Sequence, residues 1–168
     1  MNRRALVIIL LSWLAMVAWD FLLHGGLLAC FYVADDAFLL PPLEAFQRIP
    51  LGYAAFLIIA VFIYWLLPRL ELQDGRAAFV FGLKLGAFMW GAQMLALYSI
   101  STIQLDTALA WFLGQTFEMG VGAWVIFQGL QAESLKRLTW RVLAFLILSF
   151  ILTIILQNVG LAPQIVNP

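Results

Sequence analysis

Apolar side chains fill five long stretches of this chain, parted by short polar segments, at about Ala5 to Ala34, Leu51 to Leu67, Ala77 to Ile100, Thr107 to Leu130 and Trp140 to Leu161. Each is near the ~20 residues an α-helix needs to cross ~30 Å of hydrocarbon. The pattern predicts an all-α fold: a transmembrane helical bundle of five spans in a single integral membrane domain over 1–168, with four spans plus a peripheral helix as the alternative. The first stretch is too long to cross upright, and Gly25-Gly26 is where its helix is expected to bend or end. The second is short and closed by Pro68. Ahead of it, "PPLEAFQRIP" has Pro41 and Pro42 as a start signal and Leu43, Phe46 and Ile49 at helical spacing, which reads either as a short helix on the outer interface or as a connecting loop.

Composition agrees, with 65% hydrophobic and 11% charged residues and a mean hydropathy of +1.01, where a soluble domain carries roughly 25% charged residues. The lipid bilayer is therefore the first partner. A formal net charge of zero, without a basic patch, excludes nucleic acid. The one cysteine, Cys30, excludes an intramolecular disulfide, a CxxC pair and a thiolate metal cage. Arg3 and Arg4 precede the first span, Arg69 and Arg76 flank "LELQDG", and Lys136, Arg137 and Arg141 lie between the last two. The other side holds Arg48 with Asp35, Asp36, Glu44 and Asp106. The positive-inside rule then puts the N-terminus in the cytoplasm and the C-terminus outside. Arg3-Arg4 and "LLAC" imitate a cleaved leader, but Asp20 and His24 interrupt its apolar core, so the first stretch is expected to remain as an anchor.

Six polar residues within the spans are candidates for a binding site: Asp20, His24, Lys84, Gln93, Gln115 and Glu118. Ionisable groups in lipid are rare, face the bundle interior and find partners. Asp20 and His24, four positions apart, stack on one helix face. They serve either as a titrating pair or as groups that hydrate a helix end. On the fourth span Trp111, Gln115, Glu118, Gly122 and Gly129 fall within a stripe of roughly 60°. Glu118 lies ~16 Å from the outer end of its span, near mid-bilayer, where a carboxylate is protonated or finds a cation. Lys84 is the first candidate for that cation, and Lys84 snorkelling to the surface, with Glu118 neutral or paired with His24, is the competitor. Ala78, Gly82 and Gly86 repeat every four residues on the third span, with Gln93 on the same stripe and Lys84 opposite. Two opposed polar faces predict a central third span, or an oligomer contact on one side. The last span, with only Ser149 and Thr153 as polar residues in its interior between Arg141 and Gln157, reads as peripheral.

A single histidine argues against a bis-histidine haem, no ligand spacing supports a metal, and no phosphate loop, GxSxG elbow or HExxH helix is present. No catalytic residue, metal or cofactor is assigned. Seven Trp and fourteen Phe read as interface anchors and packing rather than as a cofactor box, with Trp65, Tyr98 and Trp140 near span ends. "DFLLHGGLLACFY", "PLGYAAFLIIAVFIYWL" and "DGRAAFVFGLKLG" together resemble a family of small bacterial polytopic membrane proteins with a D-F-x-x-H-G stretch near the end of the first helix. The resemblance covers roughly the first hundred residues. It implies the topology and a bacterial inner membrane, and carries no catalytic role. The chain is also similar in length and helix count to tryptophan-rich sensory proteins, but lacks their W-x-P-P and W-x-x-L-Y motifs, so their porphyrin and sterol ligands are not expected. The functional expectation is a small polar site, formed by the third and fourth spans with the outer half of the first, that binds or passes a small solute or proton. The rival is an accessory subunit with no chemistry of its own, docked on a larger membrane partner or in a homo-oligomer.

Overall fold

The structure is a computed structural model that describes residues 2–29, 40 and 42–159. Cys30, Asp35, Asp36, Pro41 and the far ends of the first and fifth apolar stretches lie outside the described residues. Among the described residues all regular structure is helical. Helix α1 (Arg3–Leu22) runs into a π-helical turn (Leu23–Leu27), and α2 (Pro42–Leu66) ends in a 3-10 turn (Leu67–Arg69). Then follow α3 (Gly75–Ile100), α4 (Leu105–Gln131) and α5 (Lys136–Asn158). Asn2 caps α1 by accepting from the Ala5 amide at 2.8 Å, and Asp74 caps α3 by accepting from Ala77 at 2.7 Å.

Four helices are long and apolar enough to cross a membrane: α1 with its π turn, the Gln47–Arg69 part of α2, α3 and α5. The 27-residue α4 has the length, but Gln115, Glu118 and its glycines dilute its apolar character. Its neighbours compensate. Ile8 and Met16 of α1 and Leu23 of the π turn lie on Gly129, Gly122 and Gly114, so α4 runs antiparallel to α1. Gly75, Gly82, Gly86 and Gly91 of α3 meet Gln128, Ala123, Met119 and Phe112, so α4 also opposes α3 along its whole length. Any layer that α3 crosses, α4 crosses too. Leu11 shares a cluster with Leu138 and Val142 of α5, while Gly26 meets Leu156, so α5 runs parallel to α1. The Trp13 indole donates to the Tyr53 carbonyl at 2.7 Å, and Ile8 shares a cluster with Ile63 and Leu67, so α2 returns beside α1. The directions alternate through the five helices. Arg3, Arg4, Arg69, Arg76, Lys136 and Arg137 therefore gather at one end of the bundle.

The central helices are α1 and α4, which corrects the expectation of a central third span. Helix α3 has one close face, Ala78, Gly82 and Gly86, and packs it on α4. Helix α4 has small residues on two opposite faces. Gly120 lies under Phe79 and Leu83 of α3, while Gly114, Gly122 and Gly129 lie under α1. Lipid gives helices no hydrophobic reason to associate, so close van der Waals approach at small residues decides which faces meet. At the end of this seam Arg4 donates to the carbonyls of Gly129 (3.1 Å), Glu133 (3.4 Å) and Ala132, tying the start of α1 to the finish of α4. These carbonyls have no partner within the helix, and a cation suits the negative end of its dipole.

The segment before the second span is neither a separate interface helix nor a loop. It is the first part of α2, continuous through Pro50. Helix α5 is peripheral and docks on α1 through its small polar residues. The Thr153 hydroxyl bonds the Ser149 carbonyl at 2.9 Å, which lets its methyl approach Gly25 and the chain approach Gly26.

A methyl at Gly82 would strike the Met119 carbonyl and stand 2.8 Å from both Ala123 Cβ and Gly120 Cα, atoms that cannot turn aside. Gly82→Ala is therefore expected to destabilise the detergent-solubilised protein by roughly 1–3 kcal/mol in spite of alanine's better helix propensity. Gly52→Ala, with nothing within 4 Å, should be neutral or stabilising. Thermal melts of the two variants check the contrast.

Candidate functional site

Gln115 and Glu118 stand one turn apart on the face of α4 that α1 covers, with Gly114 on one side and Gly122 on the other. Opposite them are Asp20, in the last turn of α1, and His24, in the π turn. The Leu28 amide reaches back to the Leu23 carbonyl at 2.7 Å, the five-residue bond of a π turn. The wider turn takes one extra residue and re-aims the side chains it carries. It is set where Gly25 and Gly26 let α5 come close.

Three side chains meet at this point. His24 Nε2 lies 3.3 Å from Asp20 Oδ1, Gln115 Nε2 donates to Asp20 Oδ1 at 3.3 Å, and Gln115 Nε2 lies 3.1 Å from His24 Nε2. The Trp111 ring stands edge-on to His24, with centroids 5.7 Å apart. The chemistry has two forms. When His24 Nε2 lacks a proton it accepts from Gln115, whose second amide hydrogen serves Asp20. When Nε2 carries a proton it donates to Asp20, and the Gln115 amide hydrogen aimed at the ring loses its acceptor. The hydrogen bonding of Gln115 is thus coupled to the position of one proton.

Glu118 is more closely covered and is 1% exposed. Among the described residues neither of its carboxylate oxygens has a hydrogen-bond partner, and Gln115 Oε1 has none either. Glu118 is within electrostatic range of Asp20, and Tyr53 of α2 is within range of both. The walls are held by indole and hydroxyl bonds to α4 carbonyls: Trp19 Nε1 to Gly114 at 2.9 Å and Ser12 Oγ to Gly122 at 3.0 Å. Trp19 also packs on Phe117 with ring centroids 4.5 Å apart.

Of the six candidates, the structure brings together Asp20, His24 and Gln115, and sets Glu118 one turn from Gln115 along α4. Lys84 and Gln93 are not part of this group. Lys84 is exposed on the side of α3 away from α4, and among the described residues no ion pair joins it to Glu118. Its place, two residues and 200° from Gly82, forbids such a pair once Gly82 packs on Met119. Gln93 is exposed because the α3–α4 contact follows every fourth residue, through Gly82, Gly86, Trp90 and Met94. That ridge drifts about 40° per step and leaves Gln93 behind. Tyr53 was not anticipated. A depth count could have found it, since it lies ~9 Å from the outer end of its span, much as Asp20 does from its own.

Among the described residues no group of three or more His, Cys, Asp or Glu side chains could hold a metal ion. No family model, curated protein or solved structure matches this chain.

Gln115→Leu removes the donor that serves both Asp20 and His24 and leaves a buried acceptor without one. We expect a loss of about 1–3 kcal/mol, while Trp19→Phe, which deletes a single indole bond, should cost about 1 kcal/mol. Denaturation in detergent distinguishes the two.

Proposed function

We propose that this chain is a multi-pass protein of a bacterial inner membrane, N-terminus in the cytoplasm and C-terminus outside, that binds and releases a proton at the α1–α4 cluster. Glu118 is the deep acceptor, and Asp20, His24 and Gln115 hand the proton on. The observation that carries this reading is the sealed Glu118 carboxyl, both of whose oxygens lack a hydrogen-bond partner. A bare carboxylate in such surroundings costs several kcal/mol, so the group holds a proton or a cation. Close packing favours the proton over a solute. Leu23 presses on Gly114 and Met16 on Gly122, one turn to either side of Glu118. Asp20, within electrostatic range of Glu118 and joined to His24 and Gln115, is the next group for that proton.

A second reading, an accessory subunit, has one observation in its favour. Lys84 and Gln93 are exposed on α3 within a span, on the helix that packs on α4 alone among the main contacts. Polar side chains at such depth call for a covering helix from a larger membrane partner or another copy.

Infrared difference spectra of the purified protein across a pH step separate the two. The proton-binding reading predicts a protonated-carboxyl band that responds to pH and vanishes in Glu118→Gln with the amount of folded protein unchanged. The accessory reading predicts no such band, and a Glu118→Gln variant that differs from the parent only in yield.

A further inference from the structure

We infer that the cluster exchanges its proton with one side of the membrane only, the side at which α1 ends, through His24, and that the α1–α4 seam shuts it off from the other side. This rests on the reading of Glu118 as a proton acceptor. The polar groups are ordered along the bundle axis. His24 lies 21 residues from Arg3, or ~32 Å along α1, which brings it to the far face of the membrane. Asp20 is one turn deeper, and Glu118, midway between Gly114 under Leu23 and Gly122 under Met16, stands level with Asp20 across the seam, on the covered face of α4. Exposure falls from 25% for the His24 side chain to 14% for Asp20 and 1% for Glu118. His24 is therefore the least covered member of the cluster and the one nearest the membrane face.

In the other direction the path closes. Met16 lies against Gly122, where an added Cβ would stand 2.8 Å from its sulfur, and Ile8 lies against Gly129, where it would stand 2.9 Å from two side-chain carbons. Ser12, the one polar residue on this stretch of α1, gives its hydroxyl to the Gly122 carbonyl. The plug from Gly122 to Gly129 is ~10 Å long. Arg4 sits beyond it on the terminal carbonyls of α4, a fixed positive charge that repels cations entering from that end. The titratable groups within electrostatic range of Glu118 among the described residues are Asp20 from α1 and Tyr53 from α2, and His24 adjoins Asp20. Lys84 of α3 points away, and α5 meets α1 with Ser149 and Thr153, which do not titrate.

The test uses the full chain in sealed vesicles of each orientation, sorted by an epitope on the C-terminus, with buffers that do not cross lipid. The Glu118 band, assigned by its loss in Glu118→Gln, is followed after a pH step outside. We expect a prompt response only in vesicles that present the α1 end outward, and in inverted vesicles a response only after the lumen itself changes pH. His24→Phe is expected to slow the prompt response about a hundredfold. An equal response in both orientations, or a faster one from the Arg4 end, overturns the inference. The comparison of orientations needs no variant, so a poorly folding His24→Phe does not obscure it. A band that stays silent to pH in unsealed detergent samples refutes Glu118 as acceptor instead, so the two failures are told apart.

Discussion

A helix that carries an amide and a carboxyl one turn apart cannot present that face to hydrocarbon, and this constraint organises the bundle. Each unsatisfied polar group in lipid costs several kcal/mol, more than any single helix contact returns. Gln115 and Glu118 must be covered. Helix α4 meets the requirement with glycine on two opposite faces, Gly120 toward α3 and Gly114, Gly122 and Gly129 toward α1. Covering is therefore achieved by backbone proximity, and α4, the helix with the weakest claim to span alone, becomes the one around which the others assemble.

The same proximity gives the cluster its chemical character. Helices packed on glycine leave little space, so the polar groups sit within hydrogen-bond distance of one another and not of a large ligand. Asp20, His24 and Gln115 share few hydrogens among several acceptors, and Glu118 beside them has no partner among the described residues. This shortage of partners is what the proton-binding proposal rests on. The π turn at Leu23–Leu27 contributes by carrying His24 at the margin while Gly25 and Gly26 bring α5 against it.

Much of this was legible in the sequence, for reasons that are local. Five apolar stretches of near-membrane length, the basic residues in alternate loops and the 100° rotation per residue suffice to give an all-α bundle. They also place Gln115, Glu118, Gly122 and Gly129 on one face and Asp20 beside His24. What could not be read is which arc of each helix is covered. Lys84 and Gln93 looked interior because polar residues at depth normally are, yet α3 packs along one narrow ridge and exposes both. Small residues on one face mark a helix that packs once, and on two faces a helix that packs twice; comparing α3 with α4 in this way would have named the central helix. Tyr53 carries no motif, and only the return of α2 beside α1 brings it into range. Pro50 lies inside α2, a tolerance for proline that membrane helices commonly show.

The most direct test of this account is disulfide trapping across the seam below Glu118. Gly122 would hold a Cβ 3.2 Å from Met16 Cγ, the atom whose place a cysteine sulfur takes, so cysteines at both positions bring their sulfurs within reach of a disulfide. With Cys30 changed to serine, the Met16→Cys, Gly122→Cys pair is predicted to form an intramolecular disulfide on mild oxidation in the membrane, with the protein still folded. A folded protein that stays reduced, or links only between separate chains, would contradict the enclosure of Glu118 by α1.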